Sequence, residues 1–472
     1  MISPYLGLLA IAGYVVILLA ISYYRSRAAT LDDYYIGSRN STWWLVTLGM
    51  ISDSVSGVTY ISVPGSVYTS GYSYFQIVLG YFLGYLIITA ILLPLYYRLN
   101  LVSIYSYLGE RFGHPAQKLG SILFISSRTF GSAARLYISV LVLHQFLFAS
   151  FGVSPELAFT LSMALIVLYT FKGGIKSLVW TEAYQSVILL GAIFCLFVIL
   201  WQTTSDPVAA ITKPQMFFFD PKTPQFFLRQ ILGGMLITAS MNGLDQNIMQ
   251  LNLSCKKASD AQKNMLTLAF IMVAVNFVFL ALGALVYQNY IDGSIALPQT
   301  PSGSIASDQL VSTLVFQHLG TAASIFFVVG LAAATFSSAG TILPAIASSI
   351  EIDLLPARLR NKISVRWIHL FAAIVILSLI LVLYRLETRS LIDVVLRCSG
   401  YTYGPLVGLY GLGIFTRVRL RPNFVPLTAI LAIAITAALD WTFHLGVELI
   451  AVNALLFLLI ALGLGREKVT LS

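Results

Sequence analysis

The chain has 472 residues, 58% of them hydrophobic and only 10% charged, with a mean hydropathy of +0.85. A soluble protein of this size carries about 25% charged residues, so a soluble enzyme or multidomain protein is excluded. The net charge of +9 does not call for a nucleic-acid partner, because the basic residues sit in short loops between apolar runs.

Thirteen apolar segments follow one another, at about 3–24, 41–69, 75–98, 117–150, 155–171, 177–203, 226–253, 262–289, 320–355, 364–386, 390–416, 423–443 and 446–465. They are numbered spans 0 to 12. Runs of about 20 apolar residues cross a bilayer core of about 30 Å, so the chain reads as an all-α polytopic protein embedded in the lipid bilayer of the cell membrane. Span 0 lacks a basic flank before it and a small-residue cleavage site after it, which predicts a retained span rather than a signal peptide. With the N-terminus outside, the cytoplasmic loops and C-terminal tail hold 20 of the 28 Lys and Arg. The outer loops hold 5, and Arg128, Arg135 and Arg397 fall inside spans. That asymmetry predicts an outside N-terminus and a cytoplasmic C-terminus. The longest outer loops, about 204–225 and 290–319, are too short to fold alone, and Ser307–His318 is expected to form a short surface helix. Cys195, Cys255 and Cys398 read as packing residues, and the five His have no metal-ligand spacing.

Span 1 reads GMISDSVSGVTYISVPGSVY, with Gly57 and then Pro64-Gly65 as backbone breakers near its middle. Span 3 is unusually long and carries Arg128 and Arg135, seven residues apart on one helical face. Span 5 carries Glu182. Span 6 reads ILGGMLITASMNGLDQNIMQ, where Asn242-Gly243 and then Asp245 interrupt the helix. Span 8, also long, reads GLAAATFSSAGTILPAIASS, with Ser337, Ser338 and Thr341 among small residues. Span 10 carries Arg397. Spans 1 and 6 are five apart, as are spans 3 and 8, and an odd offset makes the two halves inverted. Interrupted helices at matching places in inverted halves point to a transporter's midplane site. Carbonyls freed at such a break attract a cation, and hydroxyls beside them suit sodium, a hard cation that prefers oxygen.

Ionisable residues within spans are functional candidates, here Asp53, Arg128, Arg135, Glu182, Asp245 and Arg397. Three are negative and three positive, so ion pairs that fix helix register are the competing reading. Arg128 lies near the cytoplasmic end and is placed to snorkel. Arg397 is read as a solute contact or as the partner of Asp245.

Several stretches then resemble the sodium–solute symporters, a family of sodium-coupled proline, sugar, vitamin and sialic-acid transporters. The strongest is YTFKGGIKSLVWTEAYQ (Tyr169–Gln185). Others are DDYYIGSRNSTWW (Asp32–Trp44), SGVTYISVPGSVYTSG (Ser56–Gly71), IYSYLGERFG (Ile104–Gly113), DQNIMQ (Asp245–Gln250), AAATFSS (Ala332–Ser338) and GPLVGLYGLGIF (Gly404–Phe415). The resemblance implies a leucine-transporter-type core in a single domain. Its two inverted five-helix repeats would be 41–203 and 226–416, with an extra helix and loop at 1–40 and two extra helices and a short tail at 423–472. It also implies a sodium ion held by the carbonyls of Ser52, Val55 and Ala334 and the hydroxyls of Ser337 and Ser338. A second sodium site in some members uses the span 5 acid. Here that acid is Glu182 rather than Asp, and Gly340 replaces a serine, leaving Thr341, which predicts one sodium per cycle. The span 2 Gln and span 3 Arg of sialic-acid members fall at Val78 and Gly131, and the basic residue usual after the span 6 Gln is Leu251, so sialic acid is not predicted. The candidate solute pocket is Ser54, Ser56, Thr59, Gln76, Arg135, Asp245 and Arg397, and its arginines point to a carboxylate-bearing solute. The expected function is uptake of a small organic solute coupled to inward sodium flux by alternating access. Proton coupling through Glu182 or Asp53 stays open. A solute sensor is the other alternative, with little tail after Gly465 to carry a signalling domain. The sequence has no His/Cys/acid cluster, nucleophile elbow or phosphate loop to suggest an enzyme.

Overall fold

The computed structural model describes residues 4–464 except 28, 300–302, 304, 361, 387–390 and 447, and of 4, 357, 391–396 and 464 the backbone alone. Among the described residues all regular structure is helical apart from two isolated bridges, one of them between Ser41 and Cys255. Seven helices are long and apolar enough to cross a bilayer unaided, including Ser73–Arg98 (span 2), Gly174–Thr203 (span 5), Ala258–Asp292 (span 7) and Gly320–Leu354 (span 8). Spans 4, 6 and 12 are shorter apolar helices. Span 3, His114–Phe146, is a single long helix whose Arg128 and Arg135 lower its hydropathy. Span 10 is Leu391–Phe415.

Two spans are broken. Span 1 divides into 1a, Trp43–Ser54, and 1b, Gly57–Ser70. Span 6 divides into 6a, Phe227–Met241, and 6b, Gln246–Leu253. The span 6 break falls at Asn242–Asp245, as expected. The span 1 break falls at Val55–Ser56, and Pro64 sits inside an unbroken helix. In a membrane helix neighbouring groups accommodate a proline, and here Gly65 serves packing: a Cβ on it would come 2.3 Å from the Ser307 carbonyl oxygen. The Ser307–His318 region does form a short helical segment, but it is no surface helix. Leu310, Val311, Leu314, Val315 and Phe316 are buried, and Ser307 lies against span 1b.

Spans 2 and 6a meet along a seam of glycines. A Cβ on Gly80 would lie 2.2 Å from Ile231 O, one on Gly84 2.7 Å from Met235 O, and one on Gly234 2.2 Å from Ile77 O. With no side chains between them the backbones touch, as small-residue motifs allow in membranes.

The loops gather at two ends. At one end Arg39 reaches Leu101 O (2.9 Å), Arg111 reaches Thr416 O (2.9 Å) and Ser41 pairs with Cys255. A connector helix, Leu31–Ile36, is started by a capping box between Thr30 and Asp33. It is tied to span 5 through Lys176–Asp33 (2.9 Å), to span 8 through Tyr35–Glu351 (2.5 Å) and to span 9 (Val365–Arg385) through Tyr34–His369 (2.8 Å). At the other end Tyr72 N–H donates to Gln215 O (2.8 Å) and Arg229 pairs with Glu448.

Candidate functional site

Span 1a stops where Val55 turns extended (φ −98°, ψ 92°), and Ser56 begins span 1b by accepting the Thr59 N–H at 3.2 Å. The Ser52 and Val55 carbonyls therefore lie at the open end of a half-helix, where partial negative charge favours a cation. Ser52, Val55, Ala334, Ser337 and Ser338 are all buried. Glu182 joins the two helices. Its Oε2 accepts from Ser52 Oγ at 3.1 Å and also from Ser337 Oγ. Its Oε1 is buried and has no hydrogen-bond partner among the described residues. A carboxylate, two hydroxyls and freed carbonyls are a donor set that suits a sodium ion. Ser338 Oγ donates to Thr335 O at 3.3 Å.

Thr341 does not join Glu182. Its Oγ1 donates to Asp53 Oδ1 at 2.5 Å, because it lies four residues, about 6 Å, further along span 8 than Ser337. The step between them has no space for a side chain. A Cβ on Gly340 would fall 1.9 Å from Tyr169 Oη, which donates to Phe336 O at 2.5 Å. The grouping of Glu182 with Thr341 is corrected on this ground: the acid stands with Ser52 and Ser337.

Beside these groups lies a cavity of about 260 Å³ between spans 1, 2, 3, 6, 7 and 8. Ser54, Ser56, Thr59 and Arg135 line it, as the sequence predicts, together with Arg128 and Ser338. Arg135 forms no ion pair among the described residues. Asp53 also lines the cavity, its carboxylate held by Thr341 and by Asn247 Nδ2 at 3.3 Å. Tyr74, Tyr81, Tyr85, Asn247 and Asn276 are further lining residues that sequence reasoning missed. The tyrosines had a legible signal: spacings of seven and four residues put them on one face of span 2.

Three expected pocket residues lie elsewhere. Gln76 accepts the Phe218 N–H (3.0 Å) and donates to Gln225 O (2.9 Å), so it fixes the 204–225 loop. Arg397 pairs with Asp440 of span 11 (Val425–Phe443) at 2.5 Å, and its side chain is 45% exposed. Asp440, an ionisable residue within a span, was not among the candidates. Asp245 lies behind the cavity wall as the N-cap of span 6b, accepting the Asn247 N–H at 2.9 Å. Its partner is Arg128 rather than Arg397: Nε meets Oδ2 at 2.5 Å, with Tyr403 Oη on the same oxygen. Arg128 also caps the end of span 6a by donating to Met241 O at 2.8 Å. It is buried and does not snorkel.

Residues 34–420 match the sodium:solute symporter family. The chain is 23% identical over 454 residues to the sodium/sialic acid symporter NanT of Aliivibrio fischeri, covering 91% of this chain and 86% of that one. It is 27% identical over 444 residues to the sodium-coupled monocarboxylate transporter 1 of Mus musculus, covering 89% and 70%. A sodium-coupled sialic acid symporter, solved substrate-bound and outward-open, superposes with a TM-score of 0.84 at 19% identity over 98% of this chain and 99% of that one. Mhp1, a nucleobase-cation-symport-1 transporter, superposes at 0.59 with 13% identity over 91% and 93%. The fold is thus the leucine-transporter type that the family resemblance implied.

Proposed function

This chain belongs to the sodium:solute symporter family, and from that premise we propose that it carries a small carboxylate-bearing solute inward with sodium by alternating access. The observation that carries the proposal is Arg135, a guanidinium without an ion partner among the described residues, on the wall of a cavity beside the span 1 break. A half-buried guanidinium of this kind favours a bidentate carboxylate. Relatives named for sialic acid and for monocarboxylates handle acids too.

Sodium is assigned to the Ser52 and Val55 carbonyls, the Ala334 carbonyl and the Ser337 and Ser338 hydroxyls, with Glu182 supplying the negative charge. One sodium per cycle follows, since Glu182 is joined to this site through Ser52 and Ser337, and Tyr169 fills the space beside Gly340. Sodium bridging spans 1 and 8 stabilises the state that binds solute, and linkage makes the effect reciprocal. The repeats are assigned to 41–203 and 226–416. The N-terminus is assigned outside and the C-terminus to the cytoplasm of a cell-membrane protein, on the charge asymmetry of the loops.

The test is solute uptake into proteoliposomes with an imposed sodium gradient. Sodium-dependent accumulation of an acid is expected, with Ser337→Ala/Ser338→Ala raising the sodium requirement at least about tenfold, as loss of two oxygen ligands should. Uptake driven equally by a pH gradient in sodium-free buffer would overturn sodium coupling, and unaltered sodium affinity in the double variant would overturn the site.

A further inference from the structure

Asp53, Arg128 and Arg135 line the cavity and Asp245 stands behind its wall, and these four charges divide unequally. Arg128 and Asp245 neutralise each other at 2.5 Å. Arg135 and Asp53 do not: both line the cavity, and neither has an ion partner among the described residues. Asp53 is only 7% exposed, and its carboxylate is held by neutral donors alone, the Thr341 hydroxyl and the Asn247 amide. Two neutral hydrogen bonds orient an anion but do not cancel its charge, and a buried carboxylate without a contact ion partner is costly. A solute carrying only a carboxylate would satisfy Arg135 and leave Asp53 facing a second negative group.

We propose that the solute is a zwitterion, whose carboxylate is received by Arg135 and whose ammonium group is received by Asp53. The inference rests on the carboxylate reading above and adds the second pole of the solute. The walls agree with it. Tyr74, Tyr81 and Tyr85 line the same cavity from span 2, and aromatic faces attract ammonium ions. The cavity of about 260 Å³ lies just below the usual range for organic ligands of about 300–1,000 Å³, so the solute is small. A sodium ion at Asp53 is less suited. The groups turned toward the carboxylate are an amide N–H₂ and a hydroxyl already donating to it, whereas sodium asks for converging oxygen lone pairs.

The experiment uses purified full-length protein in saturating sodium and matched pairs of probes that differ only in nitrogen against carbon. Suitable pairs are alanine and isobutyrate, proline and cyclopentanecarboxylate, glycine betaine and 3,3-dimethylbutyrate, and 4-aminobutyrate and pentanoate. Affinity is read by calorimetry and by ligand-induced thermal stabilisation. In at least one pair the zwitterion should bind at least about thirtyfold more tightly than its carbon isostere, the low end for a buried charge pair losing one partner. Asp53→Asn, close to isosteric, should erase that preference by weakening the zwitterion, while the isostere binds at least as well as before and the number of sodium ions bound stays the same. If acids bind and their zwitterionic partners bind no better in every pair, the zwitterion is refuted and the carboxylate reading stands. If Asp53→Asn leaves solute preference alone but lowers the number of sodium ions bound, Asp53 holds a second sodium and the proposal fails. If neither acids nor zwitterions bind, the carboxylate reading falls and this inference falls with it.

Discussion

Changing Asp245 to Asn isolates the charge of the ion pair enclosed beside the cavity. Asn caps a helix about as well as Asp, so the bond from the Asn247 N–H to position 245 survives. What goes is the anion opposite Arg128, and the new amide N–H₂ would confront Arg128 Nε, which now sits 2.5 Å from Oδ2. Both partners are buried, with side-chain exposures of 7% and 0%, so solvent screens the loss little. Removing one partner of a buried pair costs about 3–5 kcal/mol, because the other is left uncompensated. The Met241 carbonyl gives Arg128 a residual partner, which places the expectation near the lower value, about 3 kcal/mol. SDS-titrated unfolding in mixed micelles would measure it. Arg128→Met combined with Asp245→Asn removes the orphaned cation, so the double variant should be more stable than the sum of the two singles by about 2 kcal/mol. A single-variant cost below about 1 kcal/mol, or strict additivity, would show that the pair is solvated and that the enclosure described here is wrong.

Other consequences are open to simpler measurements. Gly340→Ser should lower the melting temperature and cost about 1–3 kcal/mol by overpacking against Tyr169 Oη, without adding a second bound sodium in ²²Na⁺ binding. Arg397→Gln should leave solute affinity within about twofold, as for a position outside the site, and a loss of tenfold would return Arg397 to the pocket. Burial pushes the Asp33 carboxyl up, but the Thr30 N–H, the Ser38 hydroxyl and Lys176 outweigh it and hold it at about 2. A carboxyl depressed below its unfolded value stabilises the fold fully above pH about 4 and loses that contribution as pH falls through 2. The melting-temperature gap between wild type and Asp33→Asn should therefore be constant near neutrality and close over that acid window. A gap that does not change with pH would refute the assignment.

Spans, helix breaks and loop charges were legible because each is a local or periodic property. The span 6 break announced itself through Asn242-Gly243 and Asp245. Of the two breakers marked in span 1, the chain breaks beside Gly57, where Ser56 caps the second half, while Pro64-Gly65 lies inside that second helix. Ser54, Ser56, Thr59 and Arg135 were found, since their neighbours on the chain also mark the site. Gln76 and Arg397 were not correctly placed. A polar residue in an apolar span states that it needs a partner, but not which one, and Phe218 and Asp440 are remote in sequence. Asp53 was visible as a charge, but its place on the cavity wall depends on Thr341 and Asn247, which only the folded chain brings to it.

The glycine seam between spans 2 and 6a sets a limit on how the molecule can move. Two backbones in direct contact have no rotamers to exchange, so sliding or tilting one against the other meets hard repulsion at once. Helices from opposite halves of the chain are thereby welded into one lever. Contacts that can be broken and remade lie instead where polar side chains bridge helices, as where the Thr341 hydroxyl meets Asp53. The machine has one joint fewer than its helix count suggests.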